Sequence, residues 1–314
     1  MNNPERNLPW TSLNPGAPFD LRWVRSLAVH EEEVSRAAQA LAHWQGPAEG
    51  QMLESLLKVM AVLDLTTLSG DDTSTRIRIL CRQARSPLPR ALRNHLGLSR
   101  SPPRVAAVCV FPAFLPLAAA ALEGTGVKVA AAAGGFPHGL SGLPQRIHEA
   151  EEARKAGAQE LDVVIRREWA LTGRWERLYQ EVRALREAAG GALLKVILAT
   201  GELETLAQIS RATLTTALAG ADFVKTSTGR ERVNATFQAG IVMARTLRLY
   251  EVASGHIVGL KPAGGIKSEI DGLRWLRLAE EELGPGASAP TRFRIGASGL
   301  LGNILLALES TLQR

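Results

Sequence analysis

From about residue 59 onward the chain alternates short runs of apolar and β-branched residues with amphipathic stretches of roughly 12–20 residues, the pattern of repeated strand–helix units. Eight runs stand out: "VMAVLDLT" (59–66), "RVAAVCVF" (104–111), "VKVAAAAG" (127–134), "ELDVVI" (160–165), "LLKVILAT" (193–200), "DFVKTST" (222–228), "IVGLKP" (257–262) and "RFRIGAS" (292–298). Most are apolar on both faces, as a parallel strand is when it lies between a barrel interior and an outer ring of helices. The helical stretches "EEARKAGAQ", "REAAGGALL" and "TTALAGADF" each close on glycine just before the next run, where a left-handed C-cap belongs. Eight such repeats predict an α/β chain of the (β/α)8 TIM-barrel class. A doubly wound open sheet is the rival, but no GxGxxG follows the first run.

Residues 1–58 break the alternation. Pro4, Pro9, Pro15 and Pro18 predict an irregular lead, and "HEEEVSRAAQALAHW" and "GQMLESLLKVM" then predict helices. The chain thus divides into an N-terminal extension, 1–58, and a catalytic barrel, 59–314, on which the extension packs. The stretch "SPLPRALRNHLGLSRSPPR" (86–104) is expected to be a loop with one helical turn at most.

With 46% hydrophobic and 22% charged residues among 314, the chain can bury a full core and lies far from disordered compositions. Its longest apolar stretches, Val105–Val110 and Val127–Gly135, fall well short of the ~20 residues of a membrane span. The start "MNNPERNLPW" lacks a signal-peptide layout, and two cysteines without metal spacing, Cys81 and Cys109, suit a reducing compartment; the expectation is a cytoplasmic protein. A net charge of +6 and a pI near 9.7 admit a nucleic-acid partner, yet the arginines are spread along helices without a basic block. The same charge suits a small phosphorylated substrate.

Barrel chemistry sits at the C-terminal ends of the strands, so polar residues in or just after the runs are the candidates: Asp64, Cys109, Asp162, Lys195, Lys225, Lys261 and Ser298. Asp64 has a plain alternative as the start of a turn, with Asp71 or Asp72 capping the next helix. Cys109 reads better as a small buried hydrophobe than as a nucleophile. Asp162 lies among apolar neighbours and requires a cation, which a structural lysine pair would satisfy equally well. The three lysines lie on the fifth, sixth and seventh runs, which brings their heads together at the barrel mouth. Crowded ammonium groups in a half-dry pocket favour the neutral form in at least one, and a neutral lysine is a nucleophile for carbonyl carbon.

"KPAGGIKSEID" places Gly264 and Gly265 after the seventh run, ahead of a helix opening at Ser268, and "IGASGLLGN" supplies a second small-residue loop after the eighth. Exposed backbone N–H groups in these two loops suit a phosphate. His138 in "GGFPHGLSG" reads as an ordinary surface residue.

Taken in order, "LDLTTLSGDDT", "ELDVVI", "LLKVILATGEL", "ADFVKTSTG", "VNAT", "GLKPAGGIKS" and "FRIGAS" resemble the deoxyribose-phosphate aldolases, class I aldolases with a (β/α)8 barrel, over about residues 50–306. The long lead and "NPGAPFDL" resemble the eukaryote-type branch. The resemblance implies reversible cleavage of 2-deoxy-D-ribose 5-phosphate to D-glyceraldehyde 3-phosphate and acetaldehyde. It implies no metal or organic cofactor, no nucleic-acid or membrane partner, and a homodimer. It further implies that Lys225 forms the Schiff base, that Lys261 is the second, perturbing lysine and that Asp162 works with it in proton transfer. Asp64, Thr66, Cys109, Lys195, Thr228, Gly229, Arg230, Gly264, Gly265 and Ser298 are carried over as substrate-binding positions. Three departures follow: Arg230 stands where members commonly have lysine, Ser298 is followed by Gly299 rather than a second hydroxyl residue, and the sequence ends at "ESTLQR" without a tyrosine-bearing tail. Phosphate binding is expected to survive the first of these, and turnover to differ through the third. Another Schiff-base barrel aldolase, and a binding scaffold or RNA-binding barrel that keeps the lysines for structure, are the alternatives.

Overall fold

The computed structural model describes residues 13–98, 103–284 and 286–312. Three helices come first, α1 (Leu21–Ser26), α2 (Glu31–His43) and α3 (Met52–Ala61). The strands are β1 (Leu63–Thr66), β2 (Ala107–Val110), β3 (Lys128–Ala133), β4 (Glu160–Val164), β5 (Leu193–Ile197), β6 (Phe223–Lys225), β7 (Gly259–Lys261) and β8 (Ile295–Ala297). Between and after them run α4 (Ser74–Arg85), α5 (Arg90–His95), α6 (Leu115–Leu122), α7 (Leu143–Lys155), α8 (Arg167–Leu171), α9 (Trp175–Ala189), α10 (Leu206–Leu218), α11 (Phe237–Ser254), α12 (Glu269–Leu283) and α13 (Leu300–Leu312). Strands consecutive in the chain are parallel neighbours, and β1 also pairs with β8. Bridges from Leu260 to Phe293 and from Ala263 to Gly296 join β7 to the last repeat and close the TIM barrel.

Side-chain alternation along each strand separates two environments. Leu65, Val108, Val129, Leu161, Val196, Val224, Leu260 and Ile295 point outward into one continuous apolar core with the helices. The interior departs from the expectation of apolar strand faces, because Asp64, Glu160, Asp162, Lys195, Lys225, Lys261 and Arg294 are all buried there. On the β2–β3 side the filling is small and apolar: Cys109, Ala130 and Ala132 pack with Leu68.

Several boundaries differ from the sequence expectation. In "VMAVLDLT" the residues Val59–Ala61 complete α3 and the strand begins only at Leu63, since no glycine or proline marks the change in an unbroken apolar run. Neither Asp71 nor Asp72 caps α4; Thr73 does, accepting the Arg76 N–H at 3.3 Å, while Asp72 takes the Thr67 hydroxyl at 2.7 Å. The insert holds α5, and its residues 99–102 lie outside the described residues, as do Pro4 and Pro9 of the lead and the last two residues of "ESTLQR". The glycine stops held, with Gly157 after α7 and Gly220 after α10 at φ +104° and +99°.

The described part of the lead packs α1, α2 and α3 on the outer helices α9 to α13, and its first residues reach the N-terminal end of β6. Asn14 is buried there, its Nδ2 donating to the Ala217 and Ala221 carbonyls at 2.8 and 2.9 Å and its N–H to Asp222 at 2.7 Å. Its Oδ1 accepts from Gly16 N–H and the Tyr250 hydroxyl.

Candidate active site

Strand register builds the site. Pairing sets Asp162 beside Lys195, Ile197 beside Lys225, and Lys225 beside Lys261, so β4 to β7 present Asp162, Glu160 and three amines to the same interior. Asp162 stands at the centre. Its Oδ1 accepts from Lys195 Nζ at 2.9 Å, and its Oδ2 from both Lys225 Nζ at 2.8 Å and Lys261 Nζ at 2.7 Å.

A second tier lies beneath. Asp64 Oδ2 meets Lys261 Nζ at 2.5 Å and Lys195 Nζ at 3.3 Å, and Glu160 meets Lys195 at 2.6 Å. Arg294 ties the two carboxylates together, at 2.6 Å from Asp64 and 2.9 Å from Glu160. Asp64 is therefore an interior ion-pair partner and not the start of a turn.

Burial opposes the charges of Asp64, Glu160, Asp162, Lys195, Lys261 and Arg294, yet the opposite charges prevail. Lys195, Lys225 and Lys261 hold the Asp162 carboxyl well below the usual carboxylate range, and Lys261, Lys195 and Arg294 do the same for Asp64. Lys195 is raised well above its ordinary value by Asp162, Glu160 and Asp64, and Lys261 is raised by Asp162 and Asp64. Both stay ammonium ions. The Cys109 thiol is pushed up to about 11 by burial, then by Asp162, so it stays protonated and serves as apolar filling.

Above the cluster opens a cavity of about 570 Å³, and Lys225 is the one member of the charged cluster that lines it. Around its rim are Thr66, Thr228, Gly229, Arg230, Gly264, Gly265 and Ser298, together with Lys267, Gly299 and Asn303. Gly264 and Gly265 both hold φ near +83°, which turns the chain tightly below α12, and Ser268 caps that helix as expected. Asp64, Asp162, Lys195 and Lys261 lie behind the cavity, and Cys109 lies in the apolar patch beside it. The Arg230 guanidinium reaches across to the Leu68 carbonyl, joining the loops after β6 and β1.

The geometry is that of one lysine amine on a cavity wall, set on a buried ion-pair cluster beneath a rim of glycine-rich loops. A model described as DeoC/LacD family aldolase matches residues 58–301. The chain belongs to the DeoC/LacD aldolase family. It is 45% identical to the deoxyribose-phosphate aldolase of Homo sapiens, over 93% of this chain and 92% of that protein, and 45% identical to that of Mus musculus over 92% of each. A solved tetrameric deoxyribose phosphate aldolase from Aeropyrum pernix superposes with a TM-score of 0.59 at 28% identity, covering 84% of this chain and 99% of the other.

Sequence reasoning passed over several residues of this DeoC/LacD aldolase. Glu160 stands two residues before Asp162, and Arg294 sits inside "RFRIGAS"; the period of two could have shown both as interior charges. Lys267 adds a cation to the rim. Arg167 ties loops together, contacting the Pro137 and His138 carbonyls, Glu202 at 2.5 Å and Glu231 at 3.6 Å. His138 itself is exposed, as expected. Among the described residues no group of three or more His, Cys, Asp or Glu is placed to hold a metal ion, and no helix is long and apolar enough to cross a membrane.

Proposed function

We propose that this aldolase cleaves 2-deoxy-D-ribose 5-phosphate reversibly to D-glyceraldehyde 3-phosphate and acetaldehyde, through a Schiff base on Lys225. The observation that carries the reading is the place of the Lys225 amine, on the cavity wall and sharing one Asp162 oxygen with Lys261. The human relative's name supports the substrate.

Charge balance supports the nucleophile. Four buried basic side chains, Lys195, Lys225, Lys261 and Arg294, meet three buried carboxylates, Asp64, Glu160 and Asp162, so the cluster holds one basic group in excess of its acids. Lys225 is the amine open to substrate. Its lone pair attacks the C1 aldehyde of the open-chain sugar, and loss of water gives an iminium held beside the Asp162 carboxylate. Removal of the C3 hydroxyl proton lets the C2–C3 electrons flow into the iminium, leaving an enamine and releasing D-glyceraldehyde 3-phosphate. The enamine takes a proton at carbon and is hydrolysed to acetaldehyde. Lys261, held protonated, is the acid of the site, and Asp162 orients it and passes protons through bound water. Lys195 and Arg294 fix the carboxylates from below. The glycine loops after β7 and β8, with Arg230 and Lys267 at the rim, take the phosphate.

Borohydride reduction in the presence of acetaldehyde, followed by peptide mass analysis, tests this. The expected product is an ethyl adduct on Lys225; a folded protein with that lysine unmodified rules the mechanism out.

A further inference from the structure

Glu231 follows the phosphate-type sequence "TSTGR", yet its side chain is only 1% exposed. It folds back on its own loop. Its Oε1 accepts the Thr228 N–H at 2.9 Å, and its Oε2 accepts the Gly229 N–H at 3.0 Å and the Arg230 N–H at 3.1 Å. Three successive N–H groups converging on one point form a nest, and a nest is an anion site. Here the chain supplies the anion itself, with the Arg167 guanidinium 3.6 Å away.

Gly229 and Arg230 line the cavity, but their N–H groups are engaged with this internal carboxylate. The loop begins one residue after Lys225, and its hydroxyl Thr228 Oγ1 also accepts the Arg230 N–H, at 3.1 Å. A carboxylate that fixes this backbone therefore fixes the span from the reactive amine to the rim cation.

We propose that Glu231 is a positioning residue acting as a built-in anion: it fills the 228–230 nest, sets the loop that follows Lys225, and directs the substrate phosphate to the loops after β7 and β8. This rests on the aldolase reading above.

The test uses Glu231→Ala and Glu231→Gln, assayed on 2-deoxyribose 5-phosphate and on unphosphorylated 2-deoxyribose, with and without added acetate. Truncation to alanine leaves an acetate-sized hole beside the Thr228 and Gly229 N–H groups, which lose their acceptor, while the Arg230 N–H keeps Thr228 Oγ1. The expected loss in kcat/KM for Glu231→Ala is about tenfold or more on the phosphorylated substrate, carried mainly by KM, with a smaller loss on the unphosphorylated sugar. Glu231→Gln, which keeps one acceptor oxygen, loses less. Acetate restores several-fold activity to the alanine variant and leaves the unsubstituted enzyme unchanged, whereas inorganic phosphate inhibits the alanine variant more strongly. Either variant at full kcat/KM, or an alanine loss that acetate does not relieve, overturns the proposal. Acetaldehyde trapping separates the two ideas: failure to label Lys225 in the unsubstituted enzyme sinks the aldolase reading, while normal labelling with an indifferent Glu231 removes this inference alone.

Discussion

At the scale of single residues, the depressed and raised proton affinities inside the barrel fix how its stability depends on pH. Asp64 and Asp162 titrate below the ordinary carboxylate value when folded and near ~3.9 when unfolded, so between those values the unfolded chain binds more protons. Their contribution is complete above the unfolded value and is lost as pH falls through the depressed ones. Lys195 and Lys261 mirror this: raised when folded, they contribute fully below ~10.4 and lose that contribution as pH climbs through their folded values. Urea midpoints against pH should therefore show a plateau with an acid-side fall. In Asp162→Asn the plateau should lie lower, because amines lose their anion, and the acid-side slope should shrink; an unchanged slope would mean that Asp162 is not the group titrating. Lys225, Lys261 and Asp162 were legible in the sequence because a charge inside an apolar run violates the strand pattern. Glu160 opens its run and Arg294 alternates with Arg292, so both look like the solvated ends that strands usually have. Glu231 was hidden for another reason: in "GRER" it is one charge among several, and its folding back onto the loop depends on backbone geometry.

Among the elements, β6 and β7 are only three residues long, and their contact is exacting. Gly259 faces the interior, where an added Cβ would come within 2.3 Å of the Phe223 ring, itself stacked beneath the Arg294 guanidinium. Gly259→Ala should cost roughly 1–3 kcal/mol through displacement of that ring, read from urea unfolding. It should also lower kcat, since Lys261 lies two residues further along the same strand; a variant with the stability and rate of the parent would show that the ring has room to move. Strand number and order were legible, because β-branched runs repeat eight times and three of the helices between them stop on glycine. The start of β1 was not. An apolar helix feeding an apolar strand carries no period by which to divide them.

On the scale of the molecule, the lead joins the barrel through its helices on α9 to α13 and through Asn14 at the N-terminal end of β6. Asn14 satisfies Ala217, Ala221, Asp222 and Tyr250 from one side chain and its backbone. Asn14→Ala should lower stability by on the order of 2–4 kcal/mol, because several buried polar groups lose partners together. KM for the sugar phosphate should stay as it was, and a marked change in KM would indicate coupling through the barrel that the hydrogen-bond pattern does not suggest. The grip of Asn14 was not legible, since a lone asparagine in a proline-rich stretch has no periodic signature.

The barrel's seam is closed by charge as well as by backbone. Arg294, just before the last strand, neutralises Asp64 on the first and Glu160 on the fourth. The same two acids also meet Lys195 and Lys261, so the strand that shuts the cylinder is the one that completes the pairing of charge inside it.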